Sequence, residues 1–203
     1  PTASATLPPK FELIISHIKM MDRTIGWAVG QFQIDGEKHI LRTTDGGGTW
    51  HDVSPGQLEP FGGVPAFFLD SQLAWVWGRS QVGTWRTEDG GQSWTTVGSI
   101  YGQHDVWFND SQHGWKMMAT LWGLSYVQFD IDSFATTQDG GETWEEANPP
   151  PGVGSTFIAF PSEYVAWAIR AGFTKVDYGI HNLAVTFYVH STSDGGGTWK
   201  SYA

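Results

Sequence analysis

The chain has 203 residues with no cysteine, 26 glycines, 12 tryptophans and a formal net charge of −10. Hydrophobic residues make up 40% and aromatic residues 15%, which is too many for a disordered chain. No apolar run reaches the 18 or so residues that a membrane-spanning helix needs. The lack of cysteine excludes disulfides and thiolate metal sites, and the acidic balance argues against nucleic acid as a ligand. We therefore expect one domain with a sizeable core.

An eight-residue motif occurs four times and organises the whole chain. It has the form Thr-x-Asp-Gly-Gly-x-Thr/Ser-Trp and occupies residues 43–50, 87–94, 137–144 and 192–199. Its closing tryptophans are 44, 50 and 55 residues apart. Each copy follows a looser element with a second tryptophan, which is Trp27, Trp75, Trp115 or Trp167. A period of this length is typical of repeat architectures.

The residues between the motifs predict four short strands in each repeat. In the first repeat we expect strands over 14–20, 25–32 and 39–43, with a fourth running from Thr49 through Val53. The second, third and fourth repeats, 57–100, 101–150 and 151–203, follow the same order. No stretch has a 3.6-residue apolar period, so we expect almost no helix. Four strands in about 40 to 50 residues match one blade of a β-propeller.

The repeated motif itself is predicted to be a structural turn. An aspartate in a tight turn accepts backbone N–H groups two or three residues on, and the Gly-Gly pair supplies the positive φ that such a turn requires. The threonine two residues before the aspartate ties the turn to the incoming strand, and the tryptophan ring is buried between neighbouring sheets. The predicted structural residues are Asp45, Trp50, Asp89, Trp94, Asp139, Trp144, Asp194 and Trp199.

These residues resemble the Asp-box, or BNR repeat, of sialidases, sortilin-type receptors, xyloglucanases and photosystem II assembly factors. The pairing of the two elements is most similar to the YCF48-like group of bacterial propellers. The resemblance implies an all-β propeller whose Asp-boxes join the third and fourth strands of each blade, away from the functional face. Propellers of this family usually have six to eight blades, so three arrangements stay open. The four blades are a fragment of a larger ring, associate with a second copy, or close alone.

The connections between second and third strands are the expected functional region. The spacing from the second-strand tryptophan to the motif aspartate is 18, 14, 24 and 27 residues, so the third and fourth repeats carry the longer connections. Aromatic and charged residues there suit a protein or glycan contact. The binding candidates are Trp122, Tyr126, Asp130, Asp132, Lys175, Asp177, Tyr178 and His181. The alternative is that residues 126–130 and 184–188 only lengthen two hairpins.

Catalysis is the weaker hypothesis, and glycoside hydrolysis is the reaction that the residues would suit. It needs two carboxyl groups roughly 5 to 9.5 Å apart. Asp130 and Asp132 alternate with Ile131, so on a regular strand they share a face; Asp177 and Glu163 are further carboxyl candidates. We expect no metal and no cofactor, because the histidines show no paired spacing and no phosphate-binding loop is present.

The N-terminal residues 1–10 are small, polar and proline-rich, which predicts a linker or the processed tail of an exported protein. A propeller domain is expected to follow over residues 11–203, with its four blades at 11–56, 57–100, 101–150 and 151–203. The sequence thus favours an extracytoplasmic, non-catalytic scaffold that binds a protein partner. The alternative is a carbohydrate-active module, either a glycoside hydrolase or a lectin-like binder. Nucleic acid and membrane insertion are not expected, and self-association to complete a ring stays open.

Overall fold

A computed structural model describes residues 13–32, 38–56, 66–78, 83–98, 100, 104–121, 129–151, 155–162, 164–176 and 183–202. The chain divides into two compact units, residues 1–80 with 84–96 and residues 81–83 with 97–203. The described part is all-β, and no helix in it is long and apolar enough to cross a membrane.

In the described residues, sixteen strands form four separate antiparallel sheets, each with four strands in chain order. Blade one contains β1 (Leu13–Met20), β2 (Gly26–Phe32), β3 (Lys38–Thr43) and β4 (His51–Asp52), and blade two contains β5 (Ala66–Phe68), β6 (Ala74–Trp77), β7 (Thr84–Thr87) and β8 (Thr95–Val97). Blade three contains β9 (His104–Phe108), β10 (Gly114–Leu121), β11 (Phe129–Thr137) and β12 (Glu145–Glu146), and blade four contains β13 (Ser155–Ala159), β14 (Ala166–Val176), β15 (Leu183–Thr192) and β16 (Lys200–Tyr202). Four-stranded meanders of this kind are propeller blades, so the predicted fold class is confirmed.

The core of the first unit lies between blades one and two. Trp27 on β2 is fully buried, and its ring stacks on Phe68 of β5 with centroids 5.2 Å apart. The indole N–H of Trp27 donates to the carbonyl of Asp70 at 2.8 Å. Ile40 and Val76 are fully or almost fully buried in the same cluster. Burial of such large apolar side chains is the main stabilising term for this blade pair.

The second unit repeats this packing between blades three and four. Trp115 on β10 is fully buried and stacks on Phe160, which directly follows β13, with centroids 4.9 Å apart. The side-chain amide of Asn109 donates to the carbonyl of Phe160 at 2.9 Å. Phe134 on β11 and Ala166 on β14 complete the cluster. The same sequence element therefore builds the same blade-to-blade contact in both units.

Candidate functional site

The turn between the third and fourth strands has nearly the same hydrogen bonds in all four blades. In blade one, Thr49 donates its N–H to Oδ1 of Asp45 at 2.8 Å and its hydroxyl to Oδ2 at 2.7 Å. The hydroxyl of Thr43 donates to Oδ1 of Asp45 and accepts the N–H of Gly47 at 2.9 Å. The aspartate thus binds donors four residues on, rather than the two or three that the sequence suggested. Asp89, Asp139 and Asp194 make the equivalent bonds.

The glycine pairs adopt the positive φ that the motif predicts. Both glycines of each pair lie between +69° and +96°. The first one also donates its N–H to the turn between the first two strands of the same blade, as Gly46 does to the carbonyl of Thr24 at 2.8 Å. The motif therefore fastens the two hairpins of a blade to one another at this end.

The motif tryptophans attach each unit's second blade to its first. The indole N–H of Trp94 donates to the carbonyl of Val53 at 2.7 Å, and that of Trp199 donates to the carbonyl of Asn148 at 2.7 Å. Both rings are half-buried, with the polar edge directed to the preceding blade. Such a contact uses the apolar body and the single donor of tryptophan together.

The hydrogen bonds at this end keep the motif carboxylates ionised. The N–H and hydroxyl of Thr49, with the hydroxyl of Thr43, lower the pKa of Asp45 to about 2. At Asp139 burial raises the pKa, but the bonds from Thr143 and Thr137 outweigh it and the pKa again falls to about 2. The pKa values of Asp89 and Asp194 are also lowered to about 2. A general acid at neutral pH needs the opposite shift.

A second aspartate turn, which the sequence analysis missed, precedes the second strand of blades one to three. Oδ1 of Asp70 accepts the N–H groups of Gln72 and Leu73 at 2.7 and 2.8 Å, and Asp110 does the same for Gln112 and His113. Asp22 occupies the equivalent turn of blade one. The signal was available in the repeated Phe-x-Asp-Ser-Gln of residues 68–72 and 108–112.

This end of the second unit also carries a cleft of about 290 Å³ between blades three and four. His113, Tyr164, Glu145, Glu146 and Asp194 are among its lining residues. The ring Nδ1 of His113 lies 2.8 Å from Oδ2 of Asp110. The cleft is therefore rich in carboxylates, but among the described residues no three His, Asp or Glu side chains gather as metal ligands do.

The opposite ends of the blades differ from one another. In blade one β1 pairs with β2 as far as Leu13 opposite Phe32, with a register shift at Ser16. In blade four β13 stops at the Ser155–Ala171 pair, whereas β14 and β15 continue to Val176 opposite Leu183. In the described residues, the last part of this hairpin is therefore a two-stranded ribbon; residues 152–154, which precede β13, lie outside them.

Blade three has the same arrangement in the described residues, which leave out residues 101–103 before β9. Its first strand β9 pairs with β10 as far as Met118, and β10 and β11 continue to Leu121 opposite Phe129. Residues 129–130 and 184–188 are strand residues in these hairpins. The two longer connections predicted from the spacing are therefore, in large part, longer strands, as the lengthened-hairpin alternative described.

Each ribbon begins at a β-bulge. In blade three the register passes from Met118–Ser133 to Ala119–Ile131, so Asp132 is the extra residue. In blade four it passes from Phe173–Val185 to Lys175–Ala184, which makes Thr174 the extra residue. Bulges redirect side chains and are frequent beside functional sites. The prediction that Asp130 and Asp132 share one face assumed a regular strand. The bulge at Asp132 interrupts that regular strand.

Three of the predicted binding residues lie in the described part of these two hairpins. Lys175, Asp130 and Asp132 lie on the ribbons, where the structure describes their backbone. The remaining binding candidates, and the further carboxyl candidate Glu163, lie outside the described residues: Trp122, Tyr126, Asp177, Tyr178, His181 and Glu163.

Comparison with protein-family models and with curated protein sequences found no match. Among solved structures, a GH74 xyloglucanase from Xanthomonas campestris is similar over 90% of this chain, with 14% identity and a TM-score of 0.54. The chain spans 30% of that enzyme's length. A GH74 enzyme from Niastella koreensis is also similar, with 13% identity and a TM-score of 0.46; the match covers 92% of this chain and 38% of that enzyme. YCF48 bound to D1 peptide is similar with 16% identity and a TM-score of 0.38, and the match covers 95% of this chain and 83% of that chain. At these identities the likeness concerns the fold alone.

Proposed function

We propose that the chain is a non-catalytic scaffold that binds a protein partner through the β10–β11 and β14–β15 hairpins. The observation that carries this proposal is the length of the β10–β11 and β14–β15 hairpins, which in the described residues continue past the ends of β9 and β13. In blade one β1 accompanies its hairpin to the end, and in blade two the overhang is a single residue pair. Hairpins that are longer in some blades than in others are a place where a binding site can be built on a repeated fold.

The exposed strand edges of a ribbon suit a protein partner. A β-strand without a neighbour presents N–H and C=O groups that an extended peptide can bind by strand addition. In the part of the ribbons that the structure describes, neither β9 nor β13 supplies that neighbour. Tyr188 on β15 is 38% exposed just before the ribbon begins, and such aromatic side chains are enriched in protein interfaces.

A carbohydrate-active module is the second candidate, because Asp130 and Asp132 flank Ile131 on one ribbon. Hydrolysis of a glycoside requires one carboxyl that is protonated and one that is ionised. The described carboxylates whose pKa is shifted, such as Asp110 and Asp139, are all shifted downwards. The acid of a hydrolase would therefore have to be a carboxyl outside this set.

The test is to shorten each ribbon separately. Replacing residues 174–184 with Asn-Gly closes the Phe173–Val185 pair with a two-residue turn, and replacing 119–132 with Asn-Gly closes Met118–Ser133. The matched control replaces residues 32–37 of blade one with Asn-Gly, which closes Gln31–Lys38. We expect a partner, recovered by affinity purification and identified by mass spectrometry, to bind the intact chain and the control but neither shortened variant.

Two results would contradict this function. One is partner binding that survives both deletions. The other is turnover of a fluorogenic glycoside that is abolished by Asp130→Asn or Asp132→Asn, since this would show a hydrolase. Binding on a glycan array that both deletions abolish would instead support the lectin-like alternative.

An extracytoplasmic location is part of the same proposal. It is supported by the small, proline-rich residues 1–10 and by the motif resemblance. Fractionation of the source cells with an antibody against the chain tests it, and recovery in the cytoplasmic fraction alone would contradict it.

A further inference from the structure

The cleft between blades three and four lies where the first unit holds an arginine side chain. In blade one the register pairs Trp27 with Arg42 and Arg42 with His51, so these three side chains share one face of the sheet. The Arg42 guanidinium lies over the Trp27 ring, with Cζ 5.6 Å from the ring centroid. One of its terminal nitrogens donates to the carbonyl of Ser71 in blade two at 2.9 Å. This arginine therefore bridges blades one and two beside their Asp-boxes.

Blade three has an acidic residue in place of these basic ones. Its register pairs Trp115 with Thr136 and Thr136 with Glu145. Thr136 therefore stands where blade one has its arginine, and Glu145 stands where blade one has a histidine. Glu146 follows on the same strand, and all three residues after Trp115 line the cleft. They lie just outside the eight-residue motif at 137–144, so the difference leaves the Asp-box turn itself unchanged.

The space that the guanidinium fills in the first unit is open in the second. A Cβ added at Gly90, the first glycine of the blade two motif, would lie 2.8 Å from Cζ of Arg42. Gly195 is the equivalent glycine of blade four, and it lines the cleft. Among the described residues, a Cβ there would meet only Tyr164 of its own blade, at 3.9 Å. The cleft is thus the counterpart of the Arg42 site without its arginine.

The charge of the cleft is negative. Hydrogen bonds from the hydroxyl and N–H of Thr198 lower the pKa of Asp194 to about 2, so this lining carboxylate is ionised at neutral pH. Glu145 and Glu146 add two further carboxylates. Among the described lining residues the basic one is His113, and its ring is already paired with an aspartate of its own turn. A cation that enters the cleft therefore meets carboxylates that no arginine or lysine of the lining neutralises.

We propose that this cleft binds the guanidinium group of an arginine side chain that a partner protein presents, in the place where the first unit uses its own Arg42. A guanidinium donates paired hydrogen bonds to a carboxylate and stacks on aromatic rings, and the lining offers Glu145 for the first and Tyr164 for the second. The volume of about 290 Å³ is near the lower limit of roughly 300 Å³ for ligand pockets, which suits one side chain. The internal Arg42 site identifies the chemistry of the ligand, and the carboxylates supply the complementary charge. This inference does not rest on the function proposed for the hairpins.

The test titrates the isotope-labelled chain with N-acetyl-arginine amide and follows the backbone amide resonances of Gly195, Gly196 and Gly197 by NMR. We expect saturable shifts with a dissociation constant of about 1 to 10 mM, since a single charge-assisted contact binds weakly. N-acetyl-citrulline amide has nearly the same shape without the charge and is expected to cause no saturable shift. N-acetyl-lysine amide is expected to bind at least about threefold more weakly, because an ammonium lacks the planar donor fork.

Three variants locate the binding. Glu145→Gln is expected to weaken binding of the arginine amide about three- to tenfold. Glu142→Gln is the matched control, because Glu142 is an exposed glutamate of the same hairpin that does not line the cleft. Thr136→Arg gives the cleft an arginine of its own, as in blade one, and is expected to abolish binding. Circular dichroism melts establish that each variant folds.

A tripeptide of arginine between two glycines separates the two sources of a guanidinium group. We expect it to bind at least as tightly as the amide, because a partner protein presents its arginine within a chain. Binding of the amide without binding of the tripeptide would assign the cleft to a small guanidinium compound and overturn the partner.

Four further results would overturn the proposal. They are no saturable shift with the arginine amide, equal binding of the citrulline amide, equal binding of the lysine amide, and unchanged binding in folded Glu145→Gln or Thr136→Arg.

Discussion

The two ends of the blades follow different rules. At the end that carries the Asp-boxes, all four turns share an aspartate, a positive-φ glycine pair and closely similar hydrogen bonds. At the other end, β1 of blade one accompanies β2 as far as Leu13 with a bulge at Ser16, while in the described residues of blades three and four the second and third strands continue past the first. The Asp-box end has the same residues in every blade, which indicates a role in stability. The opposite end has hairpins of different lengths, which indicates that a functional site can differ from blade to blade there. Substitutions at the two ends should therefore affect different measurements.

The largest effect on stability is expected from Gly91→Ala, with Gly47→Ala as its matched partner. Both glycines occupy the same motif position with φ of +86° and +91°. A Cβ at Gly91 would lie 2.8 Å from Cβ of Val53 in the preceding blade, whereas the nearest atom at Gly47 is 3.8 Å away. We expect Gly47→Ala to lower the free energy of unfolding by about 1 to 2 kcal/mol from backbone strain alone. Gly91→Ala should lower it by about 1 to 3 kcal/mol more because the blades must separate.

Urea unfolding of the two variants measures this difference. If both variants lose the same free energy of unfolding, the packing between the blades accommodates a Cβ at Gly91 without further destabilisation. That result would contradict the close approach of the Asp-box to the preceding blade.

A similar division separates what the sequence could predict from what it could not. The strands of blade one were predicted to within a few residues, since alternation and turn residues are local signals. Positive φ at the glycine pairs followed from the motif for the same reason. The bulges at Asp132 and Thr174 could not be predicted, because a single extra residue is defined only by the partner strand's register. The exposure of Trp167 could not be predicted either, since it occupies the same repeat position as the buried Trp115.

The next effect in size is expected at the threonine that precedes the motif aspartate. Thr137 is almost fully buried, and its hydroxyl donates to Asp139 and accepts the N–H of Gly141. Thr137→Val keeps the shape but leaves this N–H without an acceptor, so we expect a loss of about 1 to 3 kcal/mol. Thr136→Val, on the adjacent half-buried position, is the control and should change the free energy of unfolding by less than about 0.5 kcal/mol. Similar losses for both, measured by urea unfolding, would show that the hydroxyl network is not what holds the turn.

Acid should weaken the Asp-box end gradually. The motif aspartates have pKa values of about 2 in the folded chain, against 3.8 for an ordinary aspartate. A lowered folded pKa contributes stability that is complete above the unfolded value and is lost as the pH falls through the folded value. We therefore expect the melting temperature to be nearly constant from pH 7 to about 5 and to fall between about pH 4 and 2.

Asp139→Asn should reduce the steepness of that fall, because one of the titrating groups is removed. Asp22 and Asp110 also have lowered pKa values, so part of the slope is expected to remain. Melts of the two proteins from pH 7 to 2 provide the comparison. A melting temperature of the unchanged chain that is flat down to pH 2 would mean that the hydrogen bonds to these carboxylates do not favour the folded state.

The smallest effect on stability is expected at the hairpin end. Lys175→Ser changes a residue that pairs with Ala184 on a two-stranded ribbon, beyond the last residue that β13 supports. For a substitution at such a ribbon position we expect the free energy of unfolding to change by less than about 0.5 kcal/mol. Removing the ribbon at residues 174–184 should likewise leave the melting temperature close to that of the control shortened at 32–37. If the shortened chain instead melts as early as Gly91→Ala, the ribbon is part of the folding framework. The separation of a stabilising end from a binding end would then fail for blade four.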